Sequence, residues 1–110
     1  MSNQLLKDLI KRQRKNIQNI GNYGKLKFSD IKRIDKYIDE NIFNEEDCIL
    51  YNGEIKKNYA TISFRGKKVS LTRLLYHNYI DDITEVNKIE FYCDNKNICC
   101  NIDHFGIKEL

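Results

Sequence analysis

The segment Cys93-Asp94-Asn95-Lys96-Asn97-Ile98-Cys99-Cys100-Asn101-Ile102-Asp103-His104 decides how the rest of the chain is read. A loop this tight can present two thiolates and an imidazole to one ion, because all of them fall within twelve residues. Cys48, the remaining cysteine upstream, can supply a fourth ligand. Successive side chains of an extended chain point to opposite sides, so only one of Cys99 and Cys100 reaches a common ion. Cys99 is taken as that ligand, with Cys100 the alternative. Cys48, Cys93, Cys99 and His104 then form a Cys3His site, and Zn2+ is the economical occupant. The competing reading makes the thiols small buried hydrophobes and His104 a surface histidine. His77, alone on an expected helix, reads as structural or exposed rather than as a ligand.

Outward from this segment, the 110 residues allow one domain, or a small domain with an arm, and exclude a multi-domain enzyme. With 41% apolar and 32% charged residues, the composition is that of a globular protein rather than of a disordered chain. No apolar run approaches the roughly 20 residues that a bilayer requires. Asn, Gln and Lys near the N-terminus stand where a signal peptide needs an apolar stretch. The expectation is an intracellular protein, in host cytoplasm, nucleus or virion if viral, whose thiols bind metal rather than form disulfides.

The net charge of +3 conceals blocks. Nine basic and two acidic residues give +7 over 1–33, and one basic against seven acidic gives −6 over 34–54. Residues 55–80 carry +6 and 81–110 carry −4. Clustered Lys and Arg are the electrostatic footprint of phosphate binding, because each contact releases condensed counterions. The plainer reading is a solvated surface.

From Leu5 to Ile20, apolar residues at helical spacing oppose Lys7, Lys11, Arg12, Arg14 and Lys15, which predicts a basic amphipathic helix. Ser2 or Asn3 is its expected cap and Gly21 its expected end. A second helix is expected from a Ser29 cap to about Asn41, followed by an acidic link, Asn44 to Asp47. Beyond Cys48 the period changes to two. A short strand is expected at Cys48–Tyr51, then a hairpin of Tyr59–Phe64 and Lys68–Leu71 joined by Arg65, Gly66 and Lys67. Thr72 to Tyr79 reads as a helix and Val86 to Tyr92 as a strand feeding the cysteine segment. The fold class is α+β, with residues 1–47 a helical extension and 48–110 the metal-binding domain.

The order of these pieces resembles the zinc-binding region of His-Me finger (HNH) endonucleases of the homing type. The resemblance rests on Cys48, Gly53, Tyr59, Gly66-Lys67, Thr72-Arg73-Leu74 and the Cys93-to-Phe105 knuckle, about half of the chain. The Cys-Cys-Asn-Ile of residues 99–102 is also similar to short proteins of large DNA viruses. The resemblance implies a zinc-stabilised ββα-type nucleic-acid-binding module with Cys48, Cys93, Cys99 and His104 as ligands. It also places a general-base histidine two residues before Cys93, where this chain has Phe91, which cannot accept a proton. The family's further metal-ligand helix after the knuckle has no counterpart before Leu110. The family's helix histidine is Thr72 here, and the knuckle carries one extra residue between Cys93 and Cys99.

The function expected from these residues is nucleic-acid binding, to DNA rather than RNA, without catalysis. Phosphate contacts are assigned to Lys56, Lys57, Arg65, Lys67, Lys68 and Arg73 of the hairpin region, with Lys11, Arg12, Arg14 and Lys15 added by the first helix. The alternatives are a protein-interaction or virion-assembly component docking through the N-terminal helix, and a residual metal-dependent nuclease. No membrane association is expected.

Overall fold

A computed structural model describes residues 4–43 and 46–108. The expected Ser2 or Asn3 cap, and Asn44 and Glu45 of the acidic link, lie outside the described residues. Two helices come first, α1 (Gln4–Lys11) and α2 (Phe28–Lys36). Three short strands follow, β1 (Ile55–Lys56), β2 (Tyr59–Phe64) and β3 (Lys67–Ser70), then α3 (Leu71–Tyr79), β4 (Ile89–Phe91) and β5 (Phe105–Ile107). The class is α+β, as the sequence predicts. No described helix is long and apolar enough to cross a membrane.

The first helix stops at Lys11 instead of running to Ile20. Residues 11–16 are all polar, so no apolar stripe holds a helix there. Other partners take over that stretch. The Arg14 amide donates to the Asn78 carbonyl at 2.9 Å, and the Arg14 guanidinium to the His77 carbonyl at 2.6 Å. Buried His77 bonds the Gln18 carbonyl at 2.7 Å through Nε2 and receives the Ile83 amide at Nδ1 at 3.1 Å, which fixes a neutral tautomer. It is a clamp between the 12–20 arm and the loop after α3, in line with its structural reading.

The second helix begins at Phe28, before Ser29, because the Asp30 carboxylate reaches back to the Lys27 amide at 2.9 Å. It also ends early, at Lys36, and the Tyr37 carbonyl turns to the Asn52 amide at 2.8 Å.

Strands β1, β2 and β3 form an antiparallel meander. Phe64 pairs with Lys67, so the β2–β3 loop has two residues rather than three, and Lys67 belongs to the strand. Arg65 and Gly66 both have positive φ, 53° and 80°, as a type I′ turn demands. A Cβ at Gly66 meets nothing within 4 Å, so backbone conformation alone asks for glycine there. Lys57 and Asn58 repeat the device between β1 and β2. The expected strand at Cys48–Tyr51 is a single bridge, Leu50 to Cys99, and its partner is the knuckle rather than the meander. Of the expected Val86–Tyr92 strand only Ile89–Phe91 pairs, antiparallel to β5, while Val86 is exposed.

The inner face of the meander, Ala60, Ile62, Phe64 and Val69, packs with Leu71, Leu74 and Leu75 of α3. Leu5, Leu9, Ile31, Ile34, Ile38 and Ile42 from the N-terminal part belong to the same core, which also takes in Ile49, Cys100 and Phe105. The radius of gyration, 12.8 Å, is close to the roughly 13 Å expected for one body of this length.

Candidate metal centre and basic groove

The knuckle is the loop that joins β4 to its antiparallel partner β5. Its ends are joined where the Tyr92 amide donates to the His104 carbonyl at 2.7 Å. Inside it, the Asn95 carbonyl receives the Cys99 amide at 3.0 Å, and Asn97 takes φ of 70°, a turn that suits asparagine. The Cys100 amide donates to the Ile49 carbonyl at 2.6 Å and the Tyr51 amide to the Ile98 carbonyl at 3.2 Å. These bonds lay the chain around Cys48 against the loop.

Four side chains converge there. The ligand atoms of Cys48, Cys93, Cys99 and His104 all lie within 4.8 Å of one another. A tetrahedral ion with bonds of about 2.3 Å to sulfur and about 2.05 Å to nitrogen has sulfur–nitrogen edges of about 3.6 Å. Cys48 Sγ and Cys99 Sγ stand 3.5 and 3.6 Å from His104 Nδ1. Cys99 is therefore in the cluster, whereas Cys100 faces the hydrophobic core, as alternation predicts. This Cys3His set can hold a metal ion.

The electrostatics favour a cation. The side chain of Asn95 draws the Cys48 thiol down to about 7, while burial pushes Cys93 up to about 12, with neighbouring Cys48 adding to the rise. Burial raises Cys99 as well. Three thiolates cannot share so small a volume without a positive charge among them. Loading the centre with a metal accordingly releases protons, and acid opposes it.

Asn101 positions two ligands, a role the motif alone does not reveal. Fully buried, it donates to the Asp47 carbonyl at 2.7 Å, beside Cys48, and accepts the Asp103 amide at 3.0 Å, beside His104. Asn101→Ala is expected to weaken metal affinity by about 10–100-fold, the range for lost outer-shell partners. Competition with a chromogenic chelator measures it, and unchanged affinity rejects the positioning role.

The basic residues singled out from the sequence separate in space. Lys56, Lys57, Lys68 and Arg73 line one groove of 520 Å³, together with Lys88. Lys56 and Lys68 share the Glu54 carboxylate, at 3.2 and 2.6 Å, which lowers the Glu54 pKa. Arg73 donates to the Asn87 and Thr84 carbonyls at 2.6 and 2.7 Å and lies over the Tyr23 ring. Arg65 stacks on Phe64 and bonds Asn19, outside the groove, and Lys67 is exposed beside it. Arg14 pairs with Asp82 at 2.7 Å, Arg12 lies over Phe43, and Lys11 and Lys15 are exposed. Phe91 lines the groove and packs on Phe105, with ring centres 5.7 Å apart.

Fold and centre together define a small α+β module that carries a Cys3His cluster able to hold a metal ion. Over 111 aligned residues the chain is 42% identical to an uncharacterized protein of Acanthamoeba polyphaga mimivirus. The match covers 94% of this chain and 32% of that protein, so the chain spans about a third of the length of its curated relative. A viral protein is thus among its relatives. No family model matches the chain, and no solved structure matches it.

Proposed function

We propose that the chain is a zinc-stabilised nucleic-acid-binding module, related to HNH endonucleases and without their hydrolytic activity. The carrying observation is the groove between the meander, α3 and β4, which gathers five cations on one side of the fold. Zinc fits the donor set, since thiolates with an imidazole at tetrahedral spacing are its ordinary ligands. Four protein donors leave the ion no open position for substrate, so its role is structural. Residues 48–110 are read as the metal module and residues 1–47 as its helical extension, of which Leu5, Leu9, Ile31, Ile34, Ile38 and Ile42 share the common core. Phe91 lies in the groove at the position where the resemblance places a general base, and a phenyl ring can neither take a proton nor orient hydroxide.

Elemental analysis of the purified chain is expected to find one zinc, and a gel shift to find binding to nucleic acid, DNA rather than RNA, that weakens steeply with salt. With magnesium added, no nicking is expected. The charge reversals Lys57→Glu and Lys88→Glu together are expected to weaken binding by about 10–100-fold for many sequences alike, because phosphate contacts carry no sequence information. Salt-independent binding, or none, rejects the reading.

A protein-interaction role is the second reading. It is favoured by a groove in which exposed Phe28 and Ile10 lie beside Leu26 and Ile31. A partner retained in a pull-down after nuclease digestion supports it.

A further inference from the structure

The basic groove also carries rings. Tyr59 and Phe91 line it, and alternation along the strands explains why. In β2, Ala60 and Ile62 point into the core, so Tyr59 and Thr61 face the groove. In β4, Ile89 and Phe91 face it while Glu90 does not. Among the described residues, no carboxylate lines the groove. Glu54 reaches Lys56 and Lys68 from outside, and among the described residues Lys57 and Lys88 make no ion pair.

We infer that this groove holds an unpaired nucleotide of a single-stranded nucleic acid, its phosphates on Lys57 and Lys88 and its base against Tyr59 and Phe91. The inference rests on the nucleic-acid-binding reading above and narrows it to one form of the polymer. A duplex keeps its bases stacked on one another and offers phosphates, sugars and base edges, but no base faces, to a protein groove. Rings lining that groove then have nothing to stack on. A base turned out of its stack has two free faces, and aromatic side chains accept any base. The volume of 520 Å³ lies within the roughly 300–1,000 Å³ of small-ligand sites. Tyr23 is less suited to stacking, since the Arg73 guanidinium already covers a face of its ring at 5.4 Å. Tyr59 is 38% exposed, and among the described residues no ring or cation packs on it. Asn22 and Asn97 also line the groove, and an amide side chain can pair with the edge of a base.

The test uses the full, metal-loaded chain and fluorescence anisotropy. The probes are short labelled oligothymidine and oligouridine, the same strands with abasic sites, and a duplex of matched length. Single-stranded oligothymidine is expected to bind about tenfold or more tightly than the duplex and more tightly than oligouridine, and abasic strands to lose about tenfold. Tyr59→Ala is expected to weaken intact single strands about tenfold while Tyr59→Phe keeps them bound. Metal content and circular dichroism show whether each variant is folded, and the abasic comparison needs no variant. Equal affinity for duplex, intact and abasic strands overturns this inference but leaves the nucleic-acid reading standing. Failure to bind any of these polymers overturns both.

Discussion

Cys99→Ala is expected to yield a chain without bound metal and without a cooperative thermal transition. Cys99 Sγ is one corner of the ligand set, its amide closes the knuckle on the Asn95 carbonyl, and the bridge to Leu50 holds the knuckle against the segment after Cys48. Structural zinc contributes on the order of 10 kcal/mol in small domains, comparable with the whole stability of about 5–15 kcal/mol that a domain possesses. The adjacent Cys100 supplies the control. It is buried in the core, where burial raises its thiol pKa, and it stands outside the ligand cluster. Cys100→Ala is expected to keep one ion per chain and to cost about 1 kcal/mol of packing. Elemental analysis and thermal melts of both variants decide. Metal retained by Cys99→Ala, or lost by Cys100→Ala, contradicts the assignment.

Asn78→Ala is expected to destabilise the chain by about 4 kcal/mol while leaving its metal in place. The Asn78 amide is fully buried and uses all of its hydrogen-bonding capacity. Its oxygen accepts the Leu26 amide and the Gln13 side chain, both at 2.9 Å. Its nitrogen donates to the Gly24 and Leu74 carbonyls, both at 3.0 Å. Alanine strands the Leu26 amide and the Gly24 carbonyl, on two buried residues, without water or partner. A loss of this size lowers Tm by roughly 15–30 °C in a domain of this length. A shift below about 5 °C contradicts the account. Unchanged metal content separates this failure from that of Cys99→Ala.

What the sequence reveals here depends on the distance over which each feature is encoded. The knuckle, the hairpin at Gly66 and the helix after Ser70 are local patterns, and the structure has all of them. The second tight turn has its signal in Asn58, whose φ of 72° suits asparagine, but the lysine beside it gives no warning. The helical period carries the expected first helix too far, because Ile17 and Ile20 match it although the polar run 11–16 before them offers nothing to bury. Long-range polar ties leave no periodic trace. His77 reaches Gln18, and Asn78 reaches Gly24 and Leu26 across more than fifty residues. In the metal site, ligand types and spacing were legible, while the role of Asn101 needed the fold to bring residue 47 beside residue 103. In the groove, Lys88 has no local signal, because it comes from a segment that is distant in sequence from the hairpin it faces.

The reach of the Cys48–His104 junction also orders events during protein synthesis. Cys48 leaves the ribosome long before its co-ligands, and the meander and α3 are complete while it is still alone. Nearby strand pairings close short loops quickly, whereas the ion must wait for a closure across more than fifty residues. Metal capture is then a late step that fixes local pairings still marginal without it, and a cell short of the ion would accumulate nascent chains with transient hairpins and no settled fold.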